Sequence, residues 1–242
     1  MCIRDSSSPA VRSGSRVKRY LIVVAGGTGT RMAQPVAKQF LLLEGLPLMW
    51  WTLRRFRAAL PDLHVVLVLH ESLFDTFRSL ESTHGPAAVD QLVAGGAERW
   101  HSVANGLAVL PEDGVVGVHD AVRPFVSVAT IRRCFEAAAD AGSAVPVVAV
   151  KDSIREVNGA ASHALMRDRL RAVQTPQCFN LAGLKAAYGS GYRPEFTDDA
   201  SVFEFAGHPV QLVDGDLENI KITTPEDLYV AQAFLREQRK GQ

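Results

Sequence analysis

Two cations seven positions apart, Arg31 and Lys38, follow a glycine-rich run that reads Ala25-Gly26-Gly27-Thr28-Gly29-Thr30-Arg31-Met32. Gly26, Gly27 and Gly29 carry no Cβ, so main-chain N–H groups there can turn toward a single point, an arrangement that wraps polyphosphate oxygens. A cation at the end of such a loop and another just beyond suit phosphoryl or nucleotidyl transfer, in which a protein chiefly positions groups and stabilises charge at the in-line phosphorus. Two other phosphate-binding templates fail. A dinucleotide fingerprint needs glycine where Met32 stands and an acidic residue closing a second strand, and a P-loop needs Gly-Lys-Ser/Thr. An isolated Arg and Lys would ordinarily be solvated surface charges; the glycine context argues against that reading here.

Asp120 ends a predicted buried strand and Arg123 follows in the same loop, at the edge where doubly wound sheets place ligands. A carboxylate there holds a substrate hydroxyl, binds magnesium, or pairs with Arg123; the structural alternative is an Asp that caps the next turn. Gly95-Gly96 is either a strand-to-helix turn or part of a site on the same sheet edge.

These groups need a scaffold, and the chain from residue 20 alternates short β-branched runs with longer amphipathic stretches, the pattern of an α/β fold with a Rossmann-like, mostly parallel sheet flanked by helices. Strands are predicted at 20–25, 64–69, 91–94, 115–119, 144–150, 209–213 and 219–222. Helices are predicted at 48–60, 72–82, 99–110, 128–141 (stopped by Gly142), 198–205 and 225–239. The alternation breaks between 151 and 174, where charged and weakly periodic residues suggest a protruding hairpin-like arm. Residues 1–18, rich in Ser and Arg without an apolar middle, read as a tail or non-native extension; 19–242 read as one domain that includes the arm.

Composition narrows the partners. Of 242 residues 47% are hydrophobic, ample for a core, and 26 basic residues balance 26 acidic ones, which gives no sign of nucleic-acid or membrane-surface binding. Three scattered cysteines form neither a zinc site nor a disulfide framework and point to a reducing, cytoplasmic setting. No apolar run reaches the length of a membrane span. His70, His84, His101, His119, His163 and His208 show no ligand spacing and read as structural. Trp50 and Trp51 read as core or interface, and Cys134 and Cys178 as buried small hydrophobes.

The glycine run together with Lys38-Gln39-Phe40 resembles the signature of the nucleotidyltransferases that activate sugar and polyol phosphates. Gly95-Gly96-Ala97-Glu98-Arg99 with Ser102-Val103, His119-Asp120-Ala121-Val122-Arg123-Pro124, Gln174-Thr175-Pro176-Gln177, Thr197-Asp198-Asp199-Ala200-Ser201 and Asn219-Ile220-Lys221-Ile222-Thr223 narrow the resemblance to the 2-C-methyl-D-erythritol 4-phosphate cytidylyltransferase family. It spans residues 20 to about 235, and six motifs in order make it specific.

The resemblance implies CTP and a small polyol phosphate as substrates, pyrophosphate and a CDP-linked polyol as products, and Mg2+ accompanying the triphosphate. It assigns Arg31 and Lys38 to the α-phosphate, and Lys221 and Arg167 to the attacking phosphate, with Arg169 the competitor for Arg167. Ala25, Gly26, Gly27, Gly29, Gly96 and Ser102 would meet the nucleotide. Asp120, Arg123, Ser153 and Thr197 would meet the polyol phosphate, with metal contact also open to Asp120. Ala97 stands where some relatives carry an acidic residue, so only backbone serves there. The 151–174 arm resembles the family's dimerisation arm, which implies a homodimer with Ser153 and Arg167 acting in the partner's site. The alternatives are a ribitol 5-phosphate cytidylyltransferase and a nucleotide-sensing module without turnover.

Overall fold

The computed structural model describes residues 17–25 and 36–240, so Gly26, Gly27, Gly29, Arg31 and most of the predicted tail lie outside the described residues. β1 (Arg19–Ala25) is the buried β-branched run that opens the domain. A two-strand hairpin follows, β2 (Leu42–Leu43) and β3 (Leu46–Pro47), turned by Glu44 and Gly45 at φ 52° and 81°, the positive pair a tight hairpin turn requires. Then come α1 (Leu48–Ala59), β4 (His64–Leu69), α2 (Phe74–His84), β5 (Gln91–Ala94), α3 (Arg99–Ala108), β6 (Val115–Asp120), α4 (Val128–Ala141) and β7 (Ser143–Ala149). The second part holds β8 (Arg155–Asn158), β9 (Ala161–Ala164), β10 (Arg171–Val173), β11 (Gln177–Asn180), α5 (Leu181–Tyr188), α6 (Asp199–Phe205), β12 (Leu212–Asp214) and α7 (Pro225–Lys240).

The central sheet runs β10-β7-β11-β6-β1-β4-β5, with β12 also paired to β7. β1 is parallel to β4 and β6, and β4 to β5, whereas β11 runs antiparallel to both β6 and β7. The registers Ala25 with Leu69, Leu69 with Ala94 and Val24 with Asp120 bring the carboxyl ends of β1, β4, β5 and β6 to one edge. That alignment is what positions the site.

Alternation along β1 divides the core. Leu21 and Val23 pack with Trp50, Phe56 and Phe135 beneath α1 and α4, and Ile22 packs with Val103, Leu107, Phe179 and Leu184 beneath α3 and α5. Each such buried side chain contributes about 1.5–3 kcal/mol. α3 approaches the sheet through Gly106, where a Cβ would stand 2.9 Å from Ile22 Cγ2. α4 stops where predicted: Gly142 adopts φ 88° and its N–H caps the Ala138 carbonyl. Trp50, Cys134 and Cys178 are buried, as expected, and Trp51 is half-buried with its indole N–H donating to the Leu43 carbonyl.

Several expectations need correction. Residues 219–222 form no strand; of their N–H groups Ile222 reaches a neighbouring segment, at Val122 O, while those of Asn219 and Ile220 bond within the local turn to Asp216 O and Glu218 O. The strand expected at 209–213 sits at β12, Leu212–Asp214. β11 and α5 were not anticipated: β11 has four residues, and α5 has eight with Gly183 inside, too short for a clear period. Asn180, whose side chain caps the Gly183 N–H, was the available signal. The break after 150 is a wholly exposed hairpin, β8 and β9, followed by β10, which returns to pair with β7.

Candidate active site

β1 and β6 are spatial neighbours although β4 and β5 intervene in the chain, so a crevice opens at the carboxyl edge where the strand order reverses. A cavity of about 260 Å³ fills it, lined by the ends of β1 and β6, the Gly96–Arg99 turn, Lys38 and Lys221.

Asp120, the last residue of β6, lies at its floor. Its carboxylate faces Lys221 Nζ at 3.0 Å, Arg123 Nε at 3.3 Å and Arg99 Nε at 3.7 Å. Burial alone would raise its pKa, but Arg99, Lys221 and Arg123 overcome that and hold the group far below the usual carboxylate range. Arg99 is also paired with Asp199, so two carboxylates meet three cations, and with Lys221 41% exposed this floor favours an incoming anion.

The turn from β5 to α3 supplies the opposite wall. Gly96 N–H donates to Ser102 Oγ at 3.1 Å, and the Ser102 hydroxyl donates to the Glu98 carbonyl at 3.2 Å. A Cβ on Gly96 would stand 2.3 Å from His101 Cβ, so this position requires glycine for close approach. Gly95 extends the strand ladder by donating to Leu69 O.

Arg99 begins α3 and grips Asp199, the first residue of α6, through Nη1 at 3.1 Å and Nη2 at 2.6 Å; the Tyr188 hydroxyl donates to the same carboxylate at 2.6 Å. Burial works against the charged guanidinium, and Asp199 with Asp120 outweighs it, raising the Arg99 pKa. Behind Asp120, His119 is fully enclosed, and burial pulls its imidazole down to about 3, so it is neutral. Its contacts fix the tautomer: Nε2–H donates to Arg123 O at 3.2 Å, Nδ1 accepts from the Thr175 hydroxyl at 2.9 Å, and Thr175 Oγ1 accepts the Asp120 N–H. Gln39 Nε2 donates to Ala25 O at 2.9 Å, tying the segment that carries Lys38 to the end of β1.

Of the residues singled out from sequence, Ala25, Lys38, Gly96, Ser102, Asp120 and Lys221 gather around the cavity, and Arg123 reaches it through Asp120. Arg167, Ser153 and Thr197 do not line it. Arg167 shares a 3-10 turn with Arg169 and donates to the Lys151 carbonyl at 2.8 Å; Ser153 is exposed before the hairpin; Thr197 is exposed just ahead of the α6 cap, Asp198. Sequence reasoning missed Gln39, Arg99 and Thr175 as parts of the site, although each lies inside one of the motifs that carry the resemblance; His119, read as structural, is buried behind Asp120 and does not line the cavity.

Among the described residues no three His, Cys, Asp or Glu side chains gather as a metal cluster. A magnesium ion here would be held chiefly by triphosphate oxygens, because Mg2+ commonly takes only one or two carboxylates beside substrate phosphates and Asp120 is shared with Arg99, Arg123 and Lys221.

Comparison with known proteins gives one family model, 2-C-methyl-D-erythritol 4-phosphate cytidylyltransferase (IspD), matching residues 20–237. The Bacteroides thetaiotaomicron protein of that name is 46% identical over 220 residues, covering 90% of this chain and 100% of the relative. The Bacillus velezensis protein of that name is 41% identical, covering 90% and 96%. The crystal structure of the Thermus thermophilus protein of that name superposes with a TM-score of 0.74 at 35% identity, covering 92% of this chain and all of the other. A 4-diphosphocytidyl-2C-methyl-D-erythritol synthase from Anaerococcus prevotii gives 0.77 at 25% identity, covering 91% and 99%.

Proposed function

Because the chain belongs to the 2-C-methyl-D-erythritol 4-phosphate cytidylyltransferase family, we propose a division of labour among its own residues for joining CTP to that phosphate. The protein is a nucleotidyltransferase. An oxygen of the acceptor's phosphate attacks the α-phosphorus of CTP, the bond from that phosphorus to the β-phosphate oxygen breaks, and pyrophosphate leaves with the electron pair.

Lys38, with Arg31, stabilises the charge that gathers on the α-phosphate, and Lys221 orients the attacking phosphate from the other side of Asp120. Asp120, kept ionised by its three cations, accepts hydrogen bonds from hydroxyls of the polyol, while Arg123 holds the carboxylate in place. The main chain around Ala25 and Gly96, with Gly26, Gly27 and Gly29, meets the nucleotide, and Ser102 keeps the Gly96 turn in shape. Magnesium would be held chiefly by the triphosphate, with Asp120 as the protein carboxylate open to it, and would supply charge neutralisation as a Lewis acid.

The single observation that supports this reading most strongly is Asp120 ringed by Arg99, Arg123 and Lys221 across a cavity from a turn that admits only glycine. Arg167, Ser153 and Thr197 complete the acceptor site, the first two from a second subunit whose 155–164 hairpin reaches across; the exposed Val157 and Met166 are the apolar groups such a contact would cover. Sedimentation at assay concentration is expected to show a dimer, and a fully active monomer would remove the trans arrangement. The setting is the cytoplasm; no helix among the described residues is long and apolar enough to cross a membrane.

The test is pyrophosphate release from CTP with methylerythritol 4-phosphate and, separately, ribitol 5-phosphate. Preference for the first is expected, in line with the relatives named above. A preference for ribitol 5-phosphate overturns the acceptor, and CTP binding without release from either overturns catalysis.

A further inference from the structure

Lys221 belongs to a stretch, 215–224, that has neither helix nor strand. A lysine meant to meet a phosphate needs a fixed Cα, and this stretch has few main-chain bonds to supply it. Gln174 provides the substitute. Its Nε2 donates to Asp216 O at 2.7 Å, its Oε1 accepts Asp216 N–H at 3.2 Å, and the same oxygen accepts from Asn219 Nδ2 at 3.3 Å.

A side-chain amide carries one donor face and one acceptor, as a peptide does, so Gln174 pairs with residue 216 as a neighbouring strand would. Gly215 makes the approach feasible: a Cβ there would stand 2.4 Å from Gln174 Oε1. The Asn219 side chain, oriented by Gln174, also donates to Thr175 O at 2.9 Å, and the main-chain carbonyl of Asn219 accepts from Arg123 Nη1 at 2.7 Å. Gln174 is 6% exposed and does not line the cavity, so it is placed to act through the 216–219 backbone.

We propose that Gln174 is a positioning residue for Lys221, setting the ammonium against Asp120 through the 216–219 backbone. The inference rests on the cytidylyltransferase reading and adds to it a residue that acts only through the lysine. The Gln174 side-chain bonds go to Asp216 and Asn219, away from the Gly96–Ser102 turn. Its effect therefore falls on the acceptor side and on turnover, and nucleotide affinity is left alone.

The experiment is a double-mutant cycle of Gln174→Leu and Lys221→Met on the full chain, read by steady-state pyrophosphate release, with thermal unfolding followed in parallel. Gln174→Leu is expected to lower kcat by about 10- to 100-fold, the scale of a misplaced group acting from a distance. The KM for CTP should stay within about 2-fold, and the substitution should have no further effect once Lys221 is methionine. Gln174→Glu keeps the acceptor and loses the donor to Asp216 O; it is expected to fall between wild type and leucine, and it carries the cycle if the leucine variant does not fold. Losses that multiply in the Lys221→Met background, or a CTP KM that rises in step with the fall in kcat, overturn the inference while leaving the activity intact. An inactive wild type overturns both.

Discussion

Asp199→Asn tests the strut that ties the nucleotide turn to the start of α6. The aspartate is fully buried and accepts two guanidinium N–H groups and one phenol. Asparagine keeps the outline but offers one acceptor oxygen in place of two, so Arg99 loses a hydrogen bond and its nearest counter-ion. Removing one partner of a buried pair costs about 3–5 kcal/mol. Arg99 is 29% exposed and Asp120 still faces its Nε at 3.7 Å, so hydration and the second carboxylate recover a part. The expected loss is therefore about 2–3 kcal/mol. Urea unfolding followed by tryptophan fluorescence reads it, with Trp100 stacked on Tyr188 as a local reporter, and the midpoint should fall at unchanged slope. Arg99→Met added to Asp199→Asn should return part of the loss, because the stranded charge is gone. A single variant within about 0.5 kcal/mol of wild type, the range of an ordinary surface change, refutes the strut.

The buried His119 makes stability fall on acidification. Its folded pKa is depressed to about 3 from the ordinary 6.5, so the unfolded chain binds the extra proton, and stability is fully present above about 6.5 and lost as pH falls toward 3. Near pH 5 the loss should be about 2 kcal/mol relative to pH 7, measured by urea unfolding at each pH, and His119→Gln should flatten that slope. Lys38→Ala is expected to leave the fold intact and lower kcat by about 10²- to 10³-fold; an unchanged rate takes Lys38 out of catalysis. Gly96→Ala must displace His101 or the turn, costing about 1–3 kcal/mol of stability and weakening CTP by at least about 10-fold in calorimetry.

The buried strands β1, β4 and β6, and helix α4 with its glycine stop, were readable because local pattern and tertiary role agree there. The same logic hid β11 and α5, whose few residues take their form from the strands on either side and from the Asn180 cap. It also made 219–222 look like a strand, since Ile220 and Ile222 alternate, although only residue 222 finds a main-chain partner in a neighbouring segment. Within the site, the residues whose type suggests chemistry, Lys38, Asp120 and Lys221, were visible. Those that hold them were not: Gln39 bonds to a residue 14 positions away and Gln174 to one 42 away, separations no sequence period records.

β10 ends at Val173, and the next two residues hold the two segments that form the cavity floor, Gln174 at the Asp216 backbone behind Lys221 and Thr175 at the Asp120 N–H. The chain that returns from the projecting hairpin thus meets the segments of the ammonium and the carboxylate through two adjacent side chains. The ion pair and the hairpin are therefore joined by a few residues of chain, and the β5–α3 turn stands outside that connection.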